Sequence, residues 1–156
     1  MKKRLEIELF EEHRNVNIYT IRFKNETTEI EKFLDKFPEG CEFNRDVDII
    51  IKWLDNIGKR GALERYFRIE GKYKDNVFAL PIENSNLRLY VIRLSDDILI
   101  LGNGGIKKTK AYNKDPELNN IVEQLQSIDC LIKNKERQGS IQIKGKQLLG
   151  KLEFEI

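Results

Sequence analysis

Leu87-Arg88-Leu89-Tyr90-Val91-Ile92-Arg93-Leu94-Ser95-Asp96-Asp97-Ile98-Leu99-Ile100-Leu101 decides the fold. Residues 87–94 are β-branched, aromatic and aliphatic with polar interruptions, which predicts a strand. Ser95, Asp96 and Asp97 supply tight-turn chemistry. Residues 98–101 carry no polar side chain at all. A strand that is apolar on both faces belongs at the middle of a sheet, where both faces can be covered. Upstream, residues 77–82 form a third strand, with Pro81 near its end favouring an edge or terminal position. Asn84, Ser85 and Asn86 turn it into the next. These three runs predict an antiparallel meander.

Working outward, Leu5, Ile7 and Leu9 alternate with Glu6 and Glu8, and Tyr19, Ile21 and Phe23 share one face of a second strand. With residues 11–15 as a loop, the chain opens on a β-hairpin. Thr28 followed by Glu31 is a capping-box pattern, and Ile30, Phe33, Leu34 and Phe37 continue it as a short helix ended by Pro38 and Gly40. Val47, Ile50, Ile51, Leu54 and Ile57 give a clearer second helix over 45–57. Residues 63–73 are ambiguous between helix and strand. Gly102-Asn103-Gly104-Gly105 reads as a bend or bulge in the apolar strand, since it precedes lysines rather than a helix N-terminus. Asp115-Pro116-Glu117 is a strong helix start, and Leu118, Ile121, Val122, Leu125, Ile128 and Ile132 line one face. Ile141 and Ile143, then Leu152, Phe154 and Ile156, suggest a closing hairpin around Gly145 and Gly150. The expectation is one α+β domain over 1–156, with helices packed on a central antiparallel β-meander.

Composition narrows the chemistry. Of 156 residues, 40% are apolar and 35% charged, an ordinary soluble mixture of a size for one core. No apolar run is long enough to span a bilayer, and acids interrupt the basic start where a signal peptide needs an apolar stretch. A cytoplasmic protein with no membrane partner is expected. Cys41 and Cys130 stand in no metal or redox pattern and are read as reduced thiols. The single histidine, His13, is read as a surface residue, so zinc and Ser-His-Asp chemistry are not expected, nor is any cofactor or metal. Net charge is only +2, but the cations concentrate in the middle. Lys59, Arg60, Arg65, Arg68, Lys72 and Lys74 face only Glu64 and Glu70 over 56–74. Lys107, Lys108, Lys110 and Lys114 face no acid over 106–114. One joint positive surface is expected from the two groups.

Strand parity places Leu87, Leu89 and Val91 on one face and Arg88, Tyr90 and Ile92 on the other. With the first set in the core, Arg88 and Tyr90 would share an open sheet face, suited to phosphate contact and base stacking. The plainer alternative is an arginine solvating a sheet face beside a packed tyrosine. Lys107, Lys108 and Lys110, with Tyr112 just beyond, are either a backbone-binding exit or a solubilising loop.

In order and spacing these segments resemble the RelE/ParE/HigB-type toxin superfamily. Leu87-Arg88-Leu89-Tyr90-Val91-Ile92 resembles its arginine strand, and Asp96-Asp97-Ile98-Leu99-Ile100-Leu101 its acidic turn and apolar strand. Ile106-Lys107-Lys108-Thr109-Lys110 resembles its basic exit, and Val77-Phe78-Ala79-Leu80-Pro81-Ile82 fits the preceding strand. The resemblance covers roughly residues 28–132, leaving added hairpins at 1–25 and 139–156. It implies the toxin of a toxin–antitoxin system, held by an antitoxin protein and cutting mRNA on the ribosome by 2′-OH attack on the adjacent phosphate. Arg88, Lys107, Lys108 and Tyr112 would be the catalytic set. Lys59, Arg60, Arg65, Arg68, Tyr90 and Lys110 would bind the nucleic acid. The alternative it leaves open is a non-catalytic member that binds RNA or a protein.

Overall fold

The structure, a computed structural model, describes residues 2–69 and 75–156; Lys72 and Lys74 fall outside them. In chain order the elements are β1 (Arg4–Glu12), β2 (Asn17–Phe23), α1 (Glu29–Asp35), α2 (Asn44–Arg60), β3 (Arg68–Ile69), β4 (Val77–Pro81), β5 (Leu87–Arg93) and β6 (Ile98–Ile106). Then come α3 (Pro116–Arg137), β7 (Ile141–Lys144), β8 (Gln147–Gly150) and β9 (Glu153–Glu155). One seven-stranded sheet runs β3-β4-β5-β6-β2-β1-β9. The apolar run 98–101 therefore begins the middle strand, and β4, β5 and β6 form the expected antiparallel meander. Only β2 and β6 pair in parallel among the described strands.

Both sheet faces are covered, which is why β5 and β6 are apolar on both sides. On one face, α1 and α2 bury Ile30, Phe33, Val47, Ile50, Leu54 and Ile57 against Leu87, Leu89, Val91, Leu99 and Leu101. On the other, α3 buries Leu118, Val122, Leu125, Ile128 and Ile132 against Tyr90, Ile92, Ile98 and Ile100. The local signals work as their chemistry requires. Thr28 accepts from the backbone N–H of Glu31 and donates to its carboxylate. Asp115 accepts from the N–H groups of Glu117 and Leu118, with Pro116 in the first turn.

The Gly102-to-Gly105 stretch stays in β6 and carries a bulge. Leu89 pairs with Gly104 but Val91 pairs with Leu101, so two residues of β6 face Tyr90 alone. The absent side chains also let α3 approach. A Cβ at Gly102 would lie 3.0 Å from both Leu125 methyls, and one at Gly105 would lie 3.3 Å from Leu118 Cδ2.

Three sequence expectations need correction. First, residues 152–156 do not close a hairpin with residues 141–143. The β7 strand pairs with β8, and β9 returns to the main sheet to pair with β1. Both termini are thus built into the central sheet, because Phe154 and Leu5, opposite each other, share the core beneath α3. Second, Arg88 and Tyr90 do not occupy an open face. Tyr90 is fully buried and Arg88 nearly so, because α3 lies across that side of β5. Third, His13 is not a surface histidine. Its side chain is 18% exposed and lies where a Cβ at Gly58 would come within 2.3 Å of the ring.

Glu6 and Glu8 turn the far side of β1 from α3 toward solvent, and charge ties it to β2. Arg22 donates to both carboxylate oxygens of Glu8, at 2.6 and 3.2 Å, and these hydrogen bonds hold the Glu8 carboxyl below its usual range. A depressed carboxylate contributes stability above its unfolded pKa that is lost as pH falls through the folded value. Glu8→Gln should therefore be less stable than the parent at neutral pH. In urea denaturation the two midpoints should converge at a pH below the ordinary glutamate range. A gap that persists there would rule out the ion pair as its cause.

Candidate nucleic-acid interface

The connection from β6 to α3 gathers the lysine exit at one end of the sheet. Lys107 is half-buried and anchored by its N–H to Asn86 O at 2.8 Å. Lys108, Lys110 and Lys114 are exposed. Thr109 Oγ1 donates to Ala111 O, and residues 112–114 form a 3-10 turn whose Tyr112 packs against the core under α3. Ion pairs among the described residues include none of these four lysines. Beside them, Lys36 at the C-terminal cap of α1 is fully engaged. Its Nζ donates to Asn103 Oδ1, Gly104 O and Glu117 Oε1 at 2.7 to 3.1 Å, tying α1, β6 and α3 together. The junction fixes the root of the loop and leaves Lys108, Lys110 and Lys114 to solvent.

Arg88 stands opposite Gly105, near the same end. Its Nη1 donates to Ser85 O and Leu87 O at 2.7 and 2.9 Å. A guanidinium spent on backbone carbonyls of its own turn holds the β4–β5 corner. Tyr90 lies deeper in the core.

The other cations lie elsewhere. Lys59 and Arg60 end α2 beside the β1–β2 and β5–β6 turns. Asn15 N–H donates to Gly58 O, the Asn15 amide donates to Lys59 O, and Ala62 N–H donates to Asp96 O. That is the start of β6, and Lys107 follows its end. Nine strand residues separate them, about 30 Å at the usual rise. Arg65 and Arg68 lie by the outer edge of the sheet, where β3 pairs with β4. Lys59 and Arg60 therefore stand apart from the lysine exit, and Lys72 and Lys74 lie outside the described residues.

What sequence reading missed at that edge is aromatic. Trp53, on α2, packs against Tyr66 at 5.6 Å between ring centroids, and Arg65 Cζ lies 5.3 Å from the Tyr66 centroid. Trp53 stands two helical turns before Arg60, on the same stripe, a spacing that could have linked it to the basic segment. No group of three or more His, Cys, Asp or Glu side chains among the described residues is placed to hold a metal ion. No helix among them is long and apolar enough to cross a membrane. No protein-family model matches the chain, and no curated protein and no solved structure matches it.

Proposed function

We propose that this chain is a non-catalytic, toxin-like domain that holds RNA by its backbone on the loop carrying Lys107, Lys108, Lys110 and Lys114. The observation that supports this reading is that these lysines have no acid among them and enter no ion pair among the described residues. Other lysines such as Lys24, Lys52, Lys144 and Lys151 also enter no ion pair among the described residues, but only this loop gathers four within eight residues with no acid between them. Unmatched ammonium groups on a rigidly anchored loop bind phosphates by releasing counterions, without reading sequence.

Cleavage asks for more. In-line 2′-OH attack needs a base, an acid and a cation at the developing phosphorane. Arg88, the residue expected to stabilise that charge, has its Nη1 committed to two backbone carbonyls. The loop supplies cations and the Tyr112 phenol. That set suits binding better than transfer.

The test is salt dependence. Replacing Lys107, Lys108 and Lys110 together by Gln should weaken RNA binding. It should also flatten the plot of log affinity against log salt by about 2, near 0.7 for each single-strand phosphate that is no longer neutralised. Circular dichroism should be unchanged. An unaltered slope would place the RNA elsewhere on the surface. Induction of the parent with mapping of RNA ends tests chemistry separately, and new ends that depend on the loop lysines would restore the endonuclease reading.

A further inference from the structure

The edge of the sheet farthest from β9 carries a second arrangement that backbone binding does not use. Arg65, Tyr66 and Trp53 form a layered series, with a guanidinium over a phenol ring and an indole tilted 52° against its neighbour. Tyr66 and Trp53 rest on the core beneath α1 and α2 and are half-buried, while Arg65 is exposed. The series is held from below. Tyr66 N–H and Phe67 N–H donate to Leu63 O and Glu64 O in a tight turn, and the Phe67 ring packs on Phe78 of β4. Arg60 and Arg68 are exposed on either side in the chain, and no ion pair among the described residues includes either. Between residues 59 and 69 the only acid is Glu64.

This is unusual material for a solvated face. A tryptophan and a tyrosine left partly open cost hydration, and a guanidinium held over a ring gives up part of its own. Planar groups at graded exposure beside a cation match what an unpaired nucleobase on a phosphodiester chain requires. The base finds a flat π-surface to stack on, next to the exposed guanidinium of Arg65. Duplex bases are already stacked on each other and present only edges, so the surface would select single strands.

We infer that Arg65, Tyr66 and Trp53 form a stacking platform for an unpaired base of single-stranded RNA, separate from the lysine loop. The inference rests on the RNA-binding reading above and adds what that reading lacks, a contact to bases. A single strand held by both sites must run from the sheet's outer edge to the far end of β6.

Trp53 is the only tryptophan, so its fluorescence reports on the platform alone. The full chain is titrated with a short oligouridylate and, separately, with inorganic polyphosphate, which has the charge but no base. Labelled oligouridylate anisotropy follows total binding in parallel. The expected result is saturable quenching by oligouridylate and none by polyphosphate. Arg65→Ala and Arg65→Lys should both shift the quenching midpoint by about tenfold or more, because lysine keeps the charge but not the plane. The Lys107/Lys108/Lys110 triple Gln variant should bind more weakly yet still quench once saturated. Equal quenching by polyphosphate, or an Arg65→Lys variant that matches the parent, would overturn stacking. Anisotropy that reports binding with no change at Trp53 would overturn the platform and leave the lysine loop standing. Absence of binding in both channels would overturn both.

Discussion

Gly104→Ala should cost about 3 kcal/mol or more, a large share of the roughly 5–15 kcal/mol that holds a domain of this kind together. A Cβ at this position would lie 2.0 Å from Arg88 O and 2.9 Å from Arg88 C, both backbone atoms of the neighbouring strand. Backbone in the interior of a seven-stranded sheet cannot step aside without breaking the β5–β6 ladder at its bulge. Lys36 is drawn in too, since its Nζ is bonded to Gly104 O. Gly105→Ala is the control. Its added methyl would meet only Leu118 Cδ2, at 3.3 Å, the tip of a side chain that can turn, so the cost should stay within about 1 kcal/mol. Urea denaturation followed by circular dichroism measures both. If Gly104→Ala unfolds at the parent's midpoint, the register and bulge of β6 are wrong.

Asp129→Ala should be nearly as damaging, at about 3 kcal/mol, for an electrostatic reason. Asp129 is 1% exposed on α3. Its carboxylate accepts from Asn76 N–H at 3.1 Å and from the Asn76 amide at 2.9 Å, and pairs with Lys133 Nζ at 3.0 Å. It therefore fastens α3 to the entrance of β4, with Gln126 donating to Asp75 one turn away. Alanine would leave the half-buried Asn76 donors without their acceptor and deprive the Lys133 ammonium of this carboxylate, and losing one member of such a set costs more than an exposed bond is worth. Asp129→Asn keeps the shape and one acceptor and should fall between parent and Ala. The denaturant midpoint decides the order. An alanine variant as stable as the parent would show that solvent reaches the Asn76 donors.

Arg88→Ala belongs with these two rather than with tests of activity. From strand parity alone it would be a surface change with a functional readout. Nearly buried and donating to Ser85 O and Leu87 O, it is a corner brace. A loss of activity in that variant has to be separated from a loss of fold.

Much of the fold was legible in the sequence because the signals are local. The polar-free run 98–101 could only sit where both faces are covered, and it begins the middle strand. The i, i+3, i+4 stripes from Val47 to Ile57 and from Leu118 to Ile132, with the caps at Thr28 and Asp115, mark helices whose apolar faces are buried, except for Ile51, which is exposed. The unmatched lysines after β6 were legible too, since a stretch with four cations and no acid cannot neutralise itself locally.

Only the tertiary structure decided what covers each face and which distant segments meet. Parity along β5 sorts Leu87, Leu89 and Val91 from Arg88, Tyr90 and Ile92. It carries no information on where a helix much further along the chain will dock, and α3 turned the expected open face into core. The same holds for the chain ends. Alternation marks residues 152–156 as a strand, but pairing with β1, at the opposite end of the sequence, depends on Phe154 reaching the apolar space beside Leu5. Lys59 and Arg60 lie by the start of β6 and the lysine exit follows its end, while Trp53 and Tyr66, separated by a helix end and a turn, pack together. Period and propensity arise from interactions within a few residues. Docking is settled by which apolar surfaces remain to be buried once the local elements exist, and that is a property of the whole chain.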